Sequence, residues 1–248
     1  MNNAHVNGPL VAARNVVKIY DTGKVQVRAL RGVDMEVHAG DFLAIVGPSG
    51  SGKTTLLNVI GALDSITEGE LEVLGRSVSS MNKRERADLR LRSLGFVFQA
   101  YNLVPVLTAR ENIEFVLELQ GVGNERAQRA KELLDELGLS EFADRRPNEL
   151  SGGQQQRVAV ARAVASKPRL ILADEPTANL DGENAEILLK MMRELNEEQG
   201  ITFIFSTHDP RVVAYARRVV TLVDGRVSRD AIKTSGEEAS EHAVDQGQ

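Results

Sequence analysis

Four short apolar segments recur along the chain, and their pattern predicts the core of the fold. They are FLAIVG (42–47), GFVFQ (95–99), LILAD (170–174) and ITFIFST (201–207). Their apolar residues are nearly continuous rather than alternating, which is typical of strands buried on both faces of a parallel sheet. Residues 54–63 and 185–195 carry apolar side chains at helical spacing, so we predict a doubly wound α/β core.

Other segments predict antiparallel pairing and an inserted helical region. LVAARNVVKIY (10–20), ALRGVDMEVHAG (29–40) and GELEVLG (69–75) are strand candidates of an N-terminal antiparallel β subdomain, and Asp224-Gly225 favours a hairpin turn near the other end. Between Gln99 and residue 167 there is no convincing strand pattern. Thr108 and Glu111 form a capping box there, which predicts an inserted α-helical subdomain at about residues 100–167.

The composition is that of an ordinary soluble globular protein, with 42% hydrophobic and 26% charged residues among 248. We expect one domain over residues 10–230, with flexible tails at 1–9 and 234–248. No apolar run is long enough to span a membrane, and MNNAHVNGP lacks the apolar core of a signal peptide, so we expect a cytoplasmic protein. The absence of cysteine excludes disulfides and thiolate metal sites.

The net charge of −5 gives no support to nucleic-acid binding. Glu237, Glu238, Glu241 and Asp245 supply four of these negative charges in a tail without Lys or Arg. Because the rest of the chain is almost neutral, we expect no nucleic-acid partner.

The segment GPSGSGKTT follows a predicted strand and opens a predicted helix, which is the context that the phosphate-binding pattern G-x-x-x-x-G-K-[ST] requires. Backbone N–H groups of such a loop wrap phosphates, Lys53 adds charge for the β- and γ-phosphates, and Thr54 offers a hydroxyl to Mg²⁺. The nucleotide-binding candidates are Gly47, Pro48, Ser49, Gly50, Ser51, Gly52, Lys53, Thr54 and Thr55. The alternative is a glycine-rich turn without a ligand.

Polar residues at neighbouring strand ends would complete such a site. Asp174 closes LILAD and is predicted to bind the metal, and Glu175 is predicted to be the base that polarises the attacking water. Gln99 and His208 also follow strand ends, where open α/β sheets bind ligands. We predict that Gln99 reaches the metal or the water and that His208 contacts the γ-phosphate. The alternatives are a solvated acidic pair and two ordinary surface residues.

The segment ELSGGQQQRVAVARA opens a predicted helix with two glycines, which helices disfavour. Ser151 is a good N-cap, and Gln154 can complete a capping box. Gly152 and Gly153 leave bare N–H groups at the positive end of the helix dipole, which suits an anion. The alternative is an ordinary capped helix with a loose first turn.

Taken in this order, the phosphate loop, Gln99, LSGGQ (150–154), LILADEP (170–176) and His208 resemble the nucleotide-binding subunit of ATP-binding cassette (ABC) transporters over about residues 10–230. The resemblance implies a P-loop NTPase fold and an ATPase with ATP and Mg²⁺ as ligands. It implies that Tyr20 stacks on adenine, a contact worth about 1 to 3 kcal/mol; alone, this residue would be a strand aromatic. It places Asp181, in ANLD, in a loop that crosses a dimer interface.

The resemblance also implies two partners. The phosphate loop already holds the chain's own nucleotide, so the anion site from Ser151 to Gln154 is free for the γ-phosphate on a second copy, in a head-to-tail dimer around two ATP molecules. Hydrolysis should loosen that dimer. The other partner is an integral membrane permease on a separate chain, whose coupling helix would dock near Gln99 and residues 101–106, so the protein would lie on the cytoplasmic face of the membrane.

Asn179 departs from many family members, in which the loop reads Ser-Ala-Leu-Asp. Together with the segments GPSGSGKTTLLNVIGALD and FVFQAYNLVPVLTARENIEF, this loop makes the sequence resemble one subgroup of the family. Members of that subgroup serve lipoprotein release, macrolide and peptide efflux, or cell division. We expect efflux or lipoprotein extraction, and the main alternative is force transmission in a membrane complex of the cell-division or signalling type. A P-loop kinase has no use for LSGGQ, a chromosome-structure ATPase would carry a long insertion, and a translation-associated ABC protein would usually repeat the cassette.

Overall fold

Two sheets and the helices around them form the fold. The computed structural model describes residues 8–21, 23 and 25–233. The strands are β1 (Val11–Asp21), β2 (Gln26–Val37), β3 (Phe42–Val46), β4 (Glu68–Val73), β5 (Arg76–Ser77), β6 (Leu94–Phe98), β7 (Leu170–Asp174), β8 (Thr202–Ser206), β9 (Arg218–Val223) and β10 (Arg226–Ile232). The helices are α1 (Lys53–Ile60), α2 (Lys83–Ser93), α3 (Ala109–Leu119), α4 (Arg126–Glu136), α5 (Gly152–Ala165), α6 (Gly182–Gln199) and α7 (Pro210–Tyr215).

The larger sheet has the strand order β10-β9-β3-β8-β7-β6 and confirms the mainly parallel core. Only β10 pairs antiparallel in this sheet, with β9. The four apolar segments form β3, β6, β7 and β8, and three of their five phenylalanines, Phe42, Phe203 and Phe205, are fully buried. Because these strands are parallel, the loops that follow them meet at one edge of the sheet.

The smaller sheet has the order β2-β1-β4-β5 with antiparallel pairing, which confirms the N-terminal β subdomain. β2 begins at Gln26, ahead of the predicted segment, because its first residues pair with Asp21 and Tyr20 of β1. The hairpin between β9 and β10 is also confirmed. Asp224 and Gly225 have φ angles of 48° and 73°, as a two-residue hairpin turn requires.

Helices and turns fill the insertion, and residues 99–169, all of which are described, contain no strand. Thr108 and Glu111 form the predicted capping box at the start of α3. The later helix α5 packs against both α3 and β6, so it joins the insertion to the parallel sheet.

Two helices, α2 and α7, were not predicted. Leu89 is the one buried residue of α2, so this helix has no apolar periodicity, and its sequence signal is the capping box of Asn82 and Glu85. The tails expected at 1–9 and 234–248 fall outside the described residues, apart from Gly8 and Pro9.

Candidate nucleotide site

The loop between β3 and α1 borders a cavity of about 410 Å³. Its lining includes Ser49, Gly50, Gly52, Lys53, Thr54, Thr55 and Glu175. Arg28 and Arg31 of β2 also line it and bring two cations that the sequence analysis did not predict. Six of the nine predicted phosphate-loop residues therefore gather at one concave surface, whose charged side chains are three cations, Arg28, Arg31 and Lys53, and two carboxylates, Glu175 and Asp224.

Two glycines determine how closely this loop packs on its neighbours. Gly47 has φ 152°, and a Cβ there would lie 2.0 Å from the Leu222 carbonyl oxygen. Gly52 has φ 102°, and its Cβ would lie 2.6 Å from a backbone oxygen of β2. Lys53 Nζ donates to the carbonyl oxygens of Gly47, at 2.8 Å, and Pro48, at 3.1 Å, so the ammonium group lies across the loop. The Ser51 N–H also donates to the Pro48 oxygen, at 3.2 Å.

The two predicted carboxylates lie beside this loop at the end of β7. Thr54 Oγ1 donates to Asp174 Oδ1 at 3.2 Å, so the two predicted metal ligands are adjacent. Glu175 adopts a left-handed backbone conformation with φ 46°, and its N–H donates to the Ser206 carbonyl oxygen at 2.8 Å. This conformation is uncommon for a residue with a side chain and is found at functional sites.

The Glu175 carboxylate contacts two residues that follow β8. Thr207 Oγ1 donates to Glu175 Oε2 at 3.2 Å, and His208 Nδ1 lies 2.7 Å from Glu175 Oε1. The Glu175 side chain is 17% exposed and the His208 side chain 75%. The structure therefore brings the predicted base and the predicted phosphate ligand together, with the imidazole on the solvent side.

Gln99 lies in an exposed turn after β6 and does not line the phosphate cavity. Its carbonyl oxygen accepts a hydrogen bond from Asn179 Nδ2 at 2.9 Å. The next turn residues include Tyr101 and Asn102, both with positive φ, and Arg162 of α5 donates to both of their carbonyl oxygens. The turn that carries Gln99 is thus held by α5 and by the loop before α6.

Gln156 was missed by the sequence analysis. This fully buried side chain of α5 donates from Nε2 to the carbonyl oxygens of Phe98, at 3.3 Å, and Pro176, at 2.8 Å. It ties the last residue of β6, which precedes Gln99, to the loop after β7, which carries Glu175. The signal was a polar residue in the apolar helical pattern that continues with Val160 four residues later.

Ser151 and Gln154 form the predicted capping box of α5, with distances of 2.8 Å from the Ser151 N–H to Gln154 Oε1 and 3.3 Å from the Gln154 N–H to Ser151 Oγ. No residue of this SGGQ segment lines the phosphate cavity of the same chain. The anion site predicted at the helix start is therefore not part of the chain's own phosphate pocket.

Close packing within the chain also favours glycine at two positions of this segment, which was not predicted from the sequence. A Cβ on Gly153 would lie 2.2 Å from Asn184 Oδ1, and one on Gly152 would lie 2.8 Å from Tyr101 Oη. Asp181 caps α6 by accepting from the Asn184 N–H and from Asn184 Nδ2, each at 2.8 Å. The loop of Asp181 is thereby packed against the SGGQ helix.

Tyr20 lies one residue before the end of β1 and is 36% exposed. It does not line the phosphate cavity, but its cross-strand partner Val27 does. Directly opposite residues of an antiparallel pair share one face of the sheet, so Tyr20 lies on the face that leads to the cavity. Its hydroxyl donates to Asp64 Oδ2 at 2.9 Å.

Asp209 joins the loops that follow β7 and β8. It accepts hydrogen bonds from Thr177 Oγ1 and Arg211 Nη2, each at 2.7 Å. Burial acts to raise the pKa of Asp209, but the hydrogen bonds from Arg211 and Thr177 more than offset this and lower it to about 2. The folded state therefore binds the proton less well than the unfolded state.

This pKa leads to a testable pH dependence. Stability from ionised Asp209 is fully present above the unfolded pKa and is lost as the pH falls from about 4 towards 2. We expect wild type to exceed Asp209→Asn in free energy of unfolding at pH 6, and the difference to shrink by up to about 2 kcal/mol as the pH falls through this window. Urea titrations of both proteins at several pH values measure this difference. A difference that does not change with pH would contradict it.

Comparison with known proteins shows the family to which the chain belongs. The family model "ABC transporter" matches residues 30–178. An ABC transporter ATP-binding protein of Thermotoga maritima is 51% identical and covers 86% of this chain and 91% of its own. The lipoprotein-releasing system ATP-binding protein LolD 1 of Caulobacter vibrioides is 44% identical, with coverage of 92% and 98%. The macrolide export protein MacB of Syntrophobacter fumaroxidans is 45% identical, but the match spans only 32% of that longer protein.

A solved structure extends the likeness to the fold. The ATP-binding cassette MJ0796, as a dimer in a post-hydrolysis state bound to ADP and Pi, superposes with a TM-score of 0.83 at 44% identity, covering 90% of this chain and 98% of that one. The chain therefore belongs to the ABC transporter family, and it is an ATP-binding subunit with the cassette ATPase fold. Over residues 8–21, 23 and 25–233, no helix combines the length and the apolar character needed to cross a membrane.

Proposed function

We propose that this ATPase dimerises around two MgATP molecules and drives a separate membrane permease in efflux or in lipoprotein extraction. The observation that carries the proposal is the division of the site. Glu175 faces the phosphate cavity, whereas the SGGQ segment does not line it. An anion site at the SGGQ segment, outside the chain's own phosphate cavity, would bind the phosphate of a nucleotide that a second copy holds.

The nucleotide would be held by the residues around the cavity. The backbone from Gly47 to Thr55 and the ammonium of Lys53 would bind the phosphates. Tyr20 would stack on the adenine base. Thr54 and Asp174 offer adjacent hard oxygen donors, and the Gln99 side chain offers an amide oxygen, which is the donor set that suits Mg²⁺. When bound there, Mg²⁺ would neutralise charge on the phosphates.

Glu175 would act as the base. It would accept a proton from a water molecule whose oxygen bonds to the γ-phosphorus, while the bond from that phosphorus to the β–γ bridging oxygen breaks. The hydrogen bond from Thr207 orients the carboxylate. Pairing of His208 Nδ1 with Glu175 leaves Nε2 for the γ-phosphate.

The second copy would complete each site across the dimer. Ser151, Gly152, Gly153 and Gln154 of one protomer would bind the γ-phosphate held by the other, and Asp181 would lie in the loop at the interface. Support comes from the dimeric state of the related cassette MJ0796. The packing of Gly153 against Asn184, which Asp181 holds, links the interface loop to the anion site in this proposal.

The permease would dock in an apolar groove of about 450 Å³ between the helical insertion and the edge strand β6. Phe96, Phe98, Val104 and Phe115 line it, and Phe115 is 45% exposed. This groove suits the apolar face of a short helix. Docking there would place the protein on the cytoplasmic face of the membrane, against the loop that carries Gln99.

Affinity purification tests the partner. Tagged Glu175→Gln protein is isolated from detergent-solubilised membranes of its host with MgATP, and the co-purifying chains are identified by mass spectrometry. We expect a polytopic membrane protein, and the folds of its extracytoplasmic parts would separate lipoprotein extraction from efflux. The matched control is the tagged double variant Glu175→Gln/Phe115→Asp. It should no longer co-purify with the permease but should still form the ATP-dependent dimer. Recovery of soluble proteins alone, in both preparations, would contradict the membrane partner.

A further inference from the structure

A partly buried ion pair, in which the Asp64 side chain is 31% exposed, lies directly beside Tyr20. Lys18 is only 8% exposed, and its Nζ donates to Asp64 Oδ1 at 2.7 Å and to the Ser65 carbonyl oxygen at 2.8 Å. The other oxygen of Asp64 accepts the Tyr20 hydroxyl at 2.9 Å. The Lys18 ammonium also lies 4.8 Å from the centre of the Tyr20 ring. The Asp64 carboxylate therefore bridges the buried Lys18 ammonium and the Tyr20 hydroxyl.

These contacts restrain the Tyr20 ring from two sides. The hydroxyl is anchored at Asp64, and the Lys18 ammonium occupies one face of the ring at cation–π distance. Burial is the main cause that raises the pKa of Tyr20, so the phenol keeps the proton that it donates. Tyr20 as a whole is nevertheless 36% exposed, so part of this residue is open to a further contact.

The anchor is attached to the helix that carries the phosphate loop. The N–H groups of Leu63 and Asp64 donate to the Asn58 carbonyl oxygen near the end of α1, at 2.9 and 3.2 Å. The first residue of that helix is Lys53. This short helix thus connects the Tyr20 anchor to the loop that would bind phosphate under the proposed function.

We propose that Asp64, paired with Lys18, is a positioning residue that holds the Tyr20 ring ready to stack on the nucleotide base. The proposal rests on adenine stacking by Tyr20 under the proposed function. A ring that is already ordered loses less side-chain freedom when the base binds, so the contact contributes more affinity. Because Asp64 acts through the stacking contact between Tyr20 and the nucleotide base, its effect on affinity should be absent for a ligand that consists of phosphates alone.

Nucleotide titration of the full chain tests the proposal. We expect Asp64→Ala and Tyr20→Phe each to weaken MgADP binding about two- to tenfold by calorimetry, which is the range for one hydrogen bond or one ordered side chain. Binding of magnesium pyrophosphate, measured by competition, should not change. Tyr20→Phe keeps the Lys18–Asp64 pair intact, so it carries the test even if Asp64→Ala does not fold. Glu70→Gln on the exposed part of β4 is the control and should bind as wild type does.

A double-mutant cycle separates positioning from a general loss of structure. In a Tyr20→Ala background, Asp64→Ala should weaken MgADP binding no further, because there is no ring left to position. Equal losses in both backgrounds, or an equal loss for pyrophosphate, would overturn the proposal. If Tyr20→Ala bound MgADP with wild-type affinity, the stacking role of Tyr20 would be wrong. If Tyr20→Ala bound MgADP more weakly but Tyr20→Phe and Asp64→Ala did not, only the anchoring role of Asp64 would be rejected.

Discussion

Glu175→Gln protein is expected to bind MgATP and to hydrolyse it about a hundredfold or more slowly than wild type, as the loss of a general base typically causes. The amide keeps the size of the side chain and can still accept the Thr207 hydrogen bond seen at 3.2 Å. It cannot accept the proton of the attacking water. Because hydrolysis is blocked after binding, the ATP-bound dimer should accumulate.

Phosphate release and size-exclusion chromatography with MgATP measure the two effects. Glu70→Gln is the matched control, since it makes the same chemical change on a side chain that is 74% exposed and pairs only with Arg14 among the described residues. That protein should keep wild-type turnover. Wild-type turnover by Glu175→Gln would exclude Glu175 as the base, and a monomer that binds MgATP would contradict the dimer proposal.

Mixing two inactive variants is expected to restore ATP hydrolysis. Lys53→Ala removes the cation of the phosphate loop, and Gly152→Asp places a carboxylate in the SGGQ segment, where it would repel a phosphate. In a mixed head-to-tail dimer, one composite site has both defects and the other has neither. We therefore expect up to about a quarter of wild-type activity in an equimolar mixture, because half of the dimers are mixed and each has one intact site.

The design avoids Gly153, where a Cβ would lie 2.2 Å from Asn184 Oδ1 and a loss of activity could follow from misfolding. The contact expected at Gly152 involves Tyr101 Oη, the end of a side chain that can move. Turnover is measured for each variant alone and for the mixture, together with the dimer fraction. Mixed dimers that form but stay inactive would reject the shared site.

The parallel core could be predicted because burial on both faces leaves a strong signal in a strand. Continuous apolar segments identified β3, β6, β7 and β8, and the loops that follow these parallel strands lie at one edge of the sheet. The capping boxes at Thr108 and Ser151 could be predicted for a different reason, because a cap depends only on residues three apart in sequence. α2 was missed because Leu89 alone is buried on it.

Contacts between distant segments could not be predicted. Gln156 bridges Phe98 and Pro176, which are far apart in sequence, so its role appears only when the sheet brings both loops to one edge. The same holds for Asn179, which joins the loop before α6 to Gln99. The sequence showed that Asn179 differs from the residue that many family members have at this position. It did not show that Asn179 donates a hydrogen bond to Gln99.

The sequence by itself determined the family, the phosphate loop, the acidic pair at Asp174 and Glu175 and the capped SGGQ helix, because each depends on neighbouring residues and on local backbone geometry. Only the tertiary structure decided that His208 pairs with Glu175, that Gly153 packs against Asn184, and that Asp64 and Lys18 hold Tyr20. These contacts depend on the relative positions of separate strands and helices. Those positions result from the packing of the whole core, which no short segment encodes.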